Sequence, residues 1–568
     1  MPDAILILTF SPVQAFIAEA RRTSDLFVGS KILVRMAKAA GETLRNLGRL
    51  VYPADLGEGV PNKLVVLVPW REARTVAEKG QAALLEEWNQ IARSARVKLE
   101  HLGPCPDDMW NAIWERQVTR FWEVYWAAAS MEGRSYRETY REAERVLEGL
   151  KRTRSFAPSE EPDLKDSLSG QRQALRTERY GAKDYWLAVV QHVGSSRLQP
   201  EGRERLDALG AIKRFSYLAD KRFPSTSTVA STDFLAKARG HLTRYREVLE
   251  DLMAEHRPRQ DDEEWPYDGD LLYLETLNKK RLKDGYGIEE LESPLLERAR
   301  EELREVYKIV KAQPSPYYGL IVLDGDRIGE RIDDCLRAED PEKAHHDLSL
   351  SILEFSRHVD NIVEEHIGAK VVYNGGDDVM ALAPLSEALP LAQSLAEKYQ
   401  AVTGGTASAG ISIAHHLYPL DAVVRSAREA ERKAKEVKDK ASVCVMMLKR
   451  SGTRTVMRSP WTTFVPIFDK VVDLFKEEGS KKAVLAGRFA YDVARAAYAL
   501  PTADAKLRAE LRRLLNRHGD AQYLEASGDA NEWAENLQNW AQTLPEQAEE
   551  LGRWLMLARF IARGGIER

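Results

Sequence analysis

An α+β fold, with two small sheet-bearing modules and two helix-rich stretches, is what this sequence predicts. Three observations carry that expectation. Apolar runs of strand length bounded by turn residues cluster near the N-terminus and again between residues 317 and 448. Stretches with helical apolar spacing separate and follow those clusters. In the second cluster the strands and helices run in the order βαββαβ.

Composition sets the bounds. The 568 residues suffice for three or four domains, each with its own core. Hydrophobic content of 44% and charged content of 30% describe a soluble globular chain. A formal net charge of −5 argues against a surface coated for non-specific nucleic-acid binding, so any RNA contact must use local basic patches. Cys105, Cys335 and Cys444 are isolated, which offers neither a disulfide framework nor a cysteine zinc site. No apolar run approaches the ~20 residues of a membrane span. The apolar start from Ala4 to Phe10 lacks a basic n-region, so a cytoplasmic location is expected.

Taken in order, Ile5–Phe10 reads as a buried strand, and Ser11-Pro12 reads as the cap and first residue of a helix with Val13, Phe16, Ile17 and Ala20 on its apolar face. A helix from about Ser30 to Leu47 and a strand at Lys63–Val68 follow. Residues 57–62 before that strand bring no acid pair, so this module is expected to lack a metal site. From Arg71 to Leu150 the pattern is helical. Trp110, Trp114, Trp122 and Trp126 recur at spacings of four and eight, which suits packing better than a base-stacking platform. Lys151–Arg154 with Arg172, Arg176 and Arg179 forms the most basic neighbourhood, and linker-like stretches lie at 156–170, 258–270 and 313–316.

The second cluster resolves into Tyr318–Asp324, Pro341–Ile367, Lys370–Asn374, Asp378–Pro384, Leu385–Ala401, Ala407–Ala414, Leu420–Val437 and Ser442–Leu448. Asn374-Gly375 between β-rich runs signals a hairpin, and Asp377-Asp378 open its returning strand. Upstream, a strand ends in Asp324-Gly325-Asp326. If these strands are neighbours, carboxylates converge, and unit charges ~4 Å apart repel by ~4 kcal/mol at an effective dielectric near 20. Hard oxygen ligands of this kind select Mg²⁺ or Mn²⁺, and the chemistry they serve is phosphoryl or nucleotidyl transfer. The layout is that of a polymerase-type palm. Beyond Arg450 the chain reads as helical to its end, without a chemical motif. The expected architecture is α+β, with two ferredoxin-like (polymerase/nucleotide-cyclase) palm domains plus two helical domains. Their expected boundaries are 1–105 (first palm, without an acidic site), 106–312 (helical), 313–452 (second palm) and 453–568 (helical).

Asp324-Gly325-Asp326-Arg327-Ile328-Gly329, Gly375-Gly376-Asp377-Asp378 and Ser408 through His416 together resemble the large subunit of type III CRISPR–Cas effector complexes, the Cas-ten family in its Cmr (III-B) form. Ser11 through Ile17, Asp25 through Ser30, Phe223 through Ser227 and Lys435 through Gly452 extend the resemblance in the family's order. It implies a subunit that binds guide (crRNA) and target RNA and other Cmr-type subunits, with no membrane. It also implies condensation of ATP into cyclic oligoadenylates when target RNA binds. By the same resemblance, Asp324, Asp326 and Asp377 hold the metal, and Asp377 and Asp378 carry catalysis. Gly375, Gly376, Arg327, Ile328, Gly329, Ser408 and Lys435 then contact the nucleotide. Glycines admit close backbone approach, and the amides of Arg327 to Gly329 suit phosphate oxygens.

Two departures from the family pattern carry expectations. The first palm strand begins at residue 5, and His346-Asp347 lies inside the second palm, so HD nuclease activity is not expected. The family's zinc-binding cysteine pairs fall on Asp166-Ser167-Leu168-Ser169 and Asp207-Ala208-Leu209-Gly210, and His101, His192, His241 and His256 do not rebuild the site, so no zinc is expected. Other readings are a silent scaffold bracing guide RNA and small subunits, or a free diguanylate-cyclase-like (GGDEF) enzyme. Walker A, HExxH and GxSxG patterns are absent from the sequence.

Overall fold

The computed structural model describes residues 3–566 except 58, 154–160, 194–196, 254–264, 289–292, 450–451, 478–481 and 521–528. Arg154, His256 and parts of the expected linkers at 156–170 and 258–270 lie outside the described residues, as do Arg450 and Ser451.

The N-terminal module is a four-stranded antiparallel sheet in the order β2-β3-β1-β4, built from β1 (Ala4–Ser11), β2 (Arg49–Tyr52), β3 (Lys63–Val68) and β4 (Glu123–Ser130). β1 is apolar without alternation because both of its faces are covered. Leu6, Leu8 and Phe10 pack against the helices Thr23–Leu47 and Ala73–Leu102. Ile5 and Ile7 pack with Val65, Leu67, Tyr136 and Tyr140 on the other side.

The second module is a six-stranded sheet in the order β10-β9-β8-β5-β7-β6. It comprises β5 (Tyr317–Gly325), β6 (Lys370–Asn374), β7 (Asp378–Pro384), β8 (Ala407–His415), β9 (Ser442–Leu448) and β10 (Arg454–Pro460). Only the β8–β9 pair is parallel. Leu320 and Val322 of β5 share one continuous core with Leu6, Leu8 and Ile32, so the two sheets meet through their helices. Ile321 and Leu323 face a second core with Phe355, Leu395 and the C-terminal residues Trp540 and Trp554.

The modules repeat one topology. β1, β2, β3 and β4 correspond to β5, β6, β7 and β8, in identical spatial order. In this correspondence Thr9 pairs with Lys63 where Asp324 pairs with Asp378. The first palm thus has a cation, bound to Glu144 and Tyr140, where the second has an acid.

Several expectations need correction. Ser11 ends β1 rather than capping a helix, and its hydroxyl donates to Glu123 Oε2 at 3.2 Å. The stretch from Arg71 to Leu150 is not all helical. Trp110 and Trp114 lie on the helix Asp108–Thr119, but Trp122 precedes β4 and Trp126 lies on it. The boundary at 105 therefore cuts the first sheet, whose edge strand comes from 123–130. Likewise β10 extends the second sheet past residue 452, because antiparallel pairing with β9 outcompetes a helix there. Trp110, Trp114 and Trp122 are buried packing residues.

Candidate nucleotidyl-transfer site

The acids meet because of strand register. β5 lies between β7 and β8, and Asp324 is directly opposite Asp378 on one side and Ser408 on the other. Side chains of paired antiparallel residues share a face. Both carboxylates therefore point from the face that β5 turns toward the first palm. The tip between β6 and β7 is a three-residue loop, Gly375-Gly376-Asp377, closed by the Gly375 amide donating to the Asp378 carbonyl at 2.9 Å. The expected two-residue Asn-Gly turn is not formed. Gly376, at φ +101°, is the residue that needs the left-handed region. Asn374 is instead an anchor: its amide donates to the Ser356 carbonyl at 2.8 Å, and its Oδ1 accepts from the Ser356 hydroxyl at 2.9 Å. A Cβ at Gly375 would stand 2.0 Å from the Tyr373 hydroxyl, so this glycine is required by its own hairpin.

The Gly325 amide donates to the Asp377 carbonyl at 3.2 Å, which fastens the loop to the end of β5. Asp377 and Asp378 are half-buried and acid-weakened. Burial, then the charge of Asp324, pushes Asp377 up to about 6. Burial likewise pushes Asp378 up to about 7, against the pull of Arg428 and with further repulsion from Asp324 and Asp377. Asp378 Oδ1 is buried without a hydrogen-bond partner among the described residues.

Lys435, just beyond the helix Leu420–Ala434, reaches the cluster. Its ammonium pairs with Asp324 and, at 2.9 Å, with Glu431. Burial alone would lower its pKa, but the Asp324 carboxylate more than reverses this, and the lysine is held fully charged. Asp324, Asp377, Asp378 and Lys435 are therefore brought together.

Two expected site residues are not. Asp326 is 2% exposed, and both its oxygens are taken. Oδ1 accepts from the Ser408 hydroxyl at 2.9 Å, and Oδ2 from the Thr406 hydroxyl at 2.9 Å and the Ala441 amide at 3.0 Å. With its lone pairs so engaged it ties β5 to β8 and to the turn before β9 rather than facing a cation. Ser408, fully buried, spends its hydroxyl on that same bond and does not face a nucleotide. Arg327, at φ 55°, and Gly329 are exposed at the start of the helix Ile328–Cys335, with Ile328 half-buried. The first amides of that helix have no intrahelical partner and no side-chain cap.

Hard carboxylate oxygens, those of Asp377 and Asp378 weakened first by burial and then by neighbouring acids, fit a divalent cation such as Mg²⁺ or Mn²⁺. Residues missed in the sequence also surround the site. Tyr373 and Tyr399 flank it, and Tyr52 of the first palm lies near enough for Asp377 to raise its pKa further once burial has done so. Arg428 belongs with them. Its charge on a helix face two turns before Lys435 is a sequence signal, but an ordinary one for an exposed helix.

A second cluster, Glu275, His415 and His416, lies at the far end of β8. His415 Nδ1 accepts from the Leu417 amide at 3.2 Å, so the ring proton sits on Nε2, which faces Glu275 Oε1 at 3.2 Å. A metal-bound histidine has the opposite arrangement, donating from its remote nitrogen. His416 stacks on Tyr273 at 4.2 Å, and its Nδ1 meets the Ser227 hydroxyl at 2.8 Å. The cluster is a clamp between the second palm and the helical segment.

Where cysteine pairs were expected to be replaced, Asp166 accepts from the Leu168 and Ser169 amides at 2.8 and 2.6 Å. Asp207 accepts from the Gly210 amide at 2.6 Å and pairs with Arg172. Arg172 also pairs with Glu19, and Arg176 with Asp163 at 2.6 Å, so much of the basic neighbourhood is neutralised internally.

Fold and site define a protein of two packed palm-type modules, the second with clustered carboxylates at a strand end. Residues 317–444 match Cas10/Cmr2, second palm domain, and residues 5–57 match CRISPR-associated protein Cmr2, N-terminal. Over those two stretches the chain is similar to the Cas10/Cmr2 family. It is 25% identical to the CRISPR system Cmr subunit Cmr2 of Pyrococcus furiosus over 602 residues, covering 86% of this chain and 66% of that one. Among solved structures it resembles a chain of the type III-B Cmr-beta cryo-EM structure in the apo state, with TM-score 0.65 and 14% identity over 99% of this chain and 82% of that one. The Cmr-beta structure bound to cognate target RNA gives TM-score 0.66 and 13% identity over 99% and 83%. No described helix is long and apolar enough to cross a membrane.

Proposed function

We propose that this chain is the nucleotidyltransferase subunit of an RNA-guided Cmr-type effector complex, and that its second palm condenses ATP into cyclic oligoadenylates when target RNA is bound. The observation that carries the reading is the register that sets Asp324 opposite Asp378, with Asp377 on the loop fastened to the same strand end. Partners follow from the family: guide RNA, target RNA and other Cmr-type subunits.

Asp324 and Asp377 would hold Mg²⁺ or Mn²⁺, with Asp378 assisting. When bound, such a cation supplies charge neutralisation on the triphosphate and a lower pKa for the attacking hydroxyl. The chain's own residues do the rest. The helix start at Arg327–Gly329 and Lys435 hold phosphate oxygens, Lys435 exchanging part of its contact with Asp324 for the incoming anion. Asp378, acid-weakened to about 7, takes the proton of a 3′-hydroxyl as that oxygen bonds to the α-phosphorus of a second ATP. The bond from that phosphorus to pyrophosphate breaks in the same displacement. A second nucleotide finds no acid cluster in the first palm, where Lys63 stands in the place of Asp378.

The test is to assemble the complex with guide RNA, add target RNA, ATP and Mg²⁺, and identify products by mass. Oligoadenylates are expected, and they should vanish when Asp377 and Asp378 are both changed to Ala with assembly intact. Activity that survives this change contradicts the site. A complex that assembles yet makes no oligoadenylate leaves only a bracing subunit.

A further inference from the structure

The helix Arg488–Ala499 buries Phe489, Ala490, Val493 and Ala497 and leaves Arg488, Tyr491, Arg495 and Tyr498 exposed. Those four stand at i, i+3, i+7 and i+10, a single stripe along a helix. Tyr498 is 82% exposed, more than any other large apolar side chain among the described residues. Alongside runs the helix Gln547–Ala562: a Cβ added at Gly552 would stand 2.8 Å from the Ala494 Cα. That close approach brings two more arginines to the stripe. A Cβ at Gly487 would stand 2.6 Å from Arg559 Nε and 3.0 Å from Arg563 Nη2, so both guanidiniums lie over the first turn, next to Arg488. Arg559 also covers the Tyr491 ring, 5.1 Å from its centroid, and donates to its hydroxyl at 3.3 Å. This cation–π contact holds the guanidinium in place.

The positive charge is not neutralised within the chain. Arg495, Arg559 and Arg563 pair with no carboxylate among the described residues. Arg488 meets Asp492 only at 3.9 Å, and His518 holds that carboxylate more closely, at 2.9 Å. This helix and the next, Ala505–His518, carry seven Lys and Arg against two acids, in a chain whose net charge is −5. A local basic patch of this kind is what an RNA contact on an acidic chain requires.

The side chains narrow the partner. Guanidinium forks match phosphate oxygens, and an open aromatic ring takes an unpaired base by stacking. A protein partner would find no aliphatic anchor on the stripe, and the cores of protein interfaces are depleted in charge. A duplex keeps its bases paired and would leave the Tyr498 ring unused. From Arg488 to Tyr498 the stripe is about 15 Å long, the length of about four stacked nucleotides.

We propose that this stripe is a docking surface for single-stranded RNA, with Arg488, Arg495, Arg559 and Arg563 on successive phosphates and Tyr498 stacked on one base. Tyr491 acts through Arg559, which it orients. The surface shares no residue with the nucleotidyl-transfer site. That the strand is RNA rests on the RNA-guided reading above, and the surface adds to that reading a place where the strand is held.

The test is fluorescence anisotropy of a labelled oligouridylate with the purified full chain over a range of salt concentrations, with thermal melting as the folding control. The wild-type chain should bind, with a slope of log affinity against log salt of about −3 for four phosphates neutralised. Tyr498→Ala should weaken binding about tenfold at unchanged slope, and Tyr498→Phe, which keeps the ring, should bind as wild type. Arg488→Gln combined with Arg495→Gln should cut the slope by about half. Binding of the duplex formed with oligoadenylate should be indifferent to Tyr498→Ala, since paired bases cannot reach the ring. Equal weakening of strand and duplex by Tyr498→Ala would make the ring structural and overturn the stacking. Wild-type affinity and slope in all variants would place the RNA elsewhere, overturning the surface while the RNA-guided reading stands. Variants that bind RNA normally but no longer join the other Cmr-type subunits would give the face to a protein, and the proposal falls. Tighter binding of the matching deoxyribo strand would overturn RNA as the occupant. No binding by the wild type overturns the surface as well, and oligoadenylate synthesis by the assembled complex then still decides the function proposed above.

Discussion

Asp324 of β5 and Asp378 of β7 are direct cross-strand partners, and the Asp377 loop is hydrogen-bonded to the residue that follows Asp324. Asp324 and Asp378 are thus held by strand pairing and Asp377 by a short loop fastened to the same strand end, which is what a site that must hold a cation in fixed geometry requires.

That arrangement opposes folding when no cation is bound. Asp377 and Asp378 have folded-state pKa values of about 6 and about 7, above the usual carboxylate value of 3.8. The folded state therefore binds more protons than the unfolded one between those limits, and stability falls as pH rises through that window. The loss is complete above about pH 7. Asp378→Asn should raise the melting temperature of the metal-free chain at pH 8, by on the order of 2 kcal/mol of stability. The advantage should shrink at pH 4 and when Mg²⁺ is added. Equal melting of variant and wild type at pH 8 would contradict this.

The sign reverses at His345. Burial holds this imidazole at about 4, and its Nδ1 lies 3.0 Å from the Tyr136 hydroxyl. It packs the second palm's helix Pro341–Glu365 against the first palm. Here the unfolded state binds more protons between about pH 4 and 6.5, so stability is present above 6.5 and is lost as pH falls. Moving from pH 7 to pH 5 should remove about 2 kcal/mol through this residue. His345→Phe should flatten the acid limb of the melting profile, measured by calorimetry at matched ionic strength.

Arg172 braces the segment where the family carries cysteine pairs, through Asp207 and Glu19. Arg172→Ala leaves the buried Asp207 uncompensated and should destabilise the chain by about 3–5 kcal/mol. Elemental analysis of the purified protein should find no stoichiometric zinc, and added chelator should leave its melting unchanged. One zinc per chain would overturn the assignment.

Gly375→Ala places a methyl group against the Tyr373 hydroxyl. It should impair oligoadenylate synthesis by at least about tenfold with little effect on subunit assembly, because the displaced loop carries Asp377.

The second palm was legible in outline because its strands are apolar runs punctuated by glycine and acids, and its order alone specified the topology. Whether the strand ending at Asp324 neighbours the hairpin was left open by that order, and the register sets Asp324 opposite Asp378. Less legible was what each polar residue does once buried. Asp324 near the end of β5 and Asp326 just beyond it are two residues apart, and nothing local distinguishes the one clasped by Thr406, Ser408 and Ala441 from the one left facing the site. Those partners lie 80 or more residues away. β4 escaped notice because Trp122 and Trp126 satisfy a helical spacing as well as an edge strand, and only its pairing with β1 decides between them. β2 is only four residues long, too short for its alternation to register even though Gly48 and Pro53 frame it. Arg428 reads as a surface charge until the helix is packed on Gly410.

The central claim is that Asp324 and the hairpin acids share one divalent cation, and Mn²⁺ binding measured by electron paramagnetic resonance on the purified chain tests it most directly. Saturable binding in the presence of ATP is expected for the wild type. Affinity should fall by at least about tenfold in Asp324→Asn and again in Asp377→Asn, with no loss in Asp326→Asn beyond what its altered stability explains. Equal Mn²⁺ affinity in wild type, Asp324→Asn and Asp377→Asn would contradict the account.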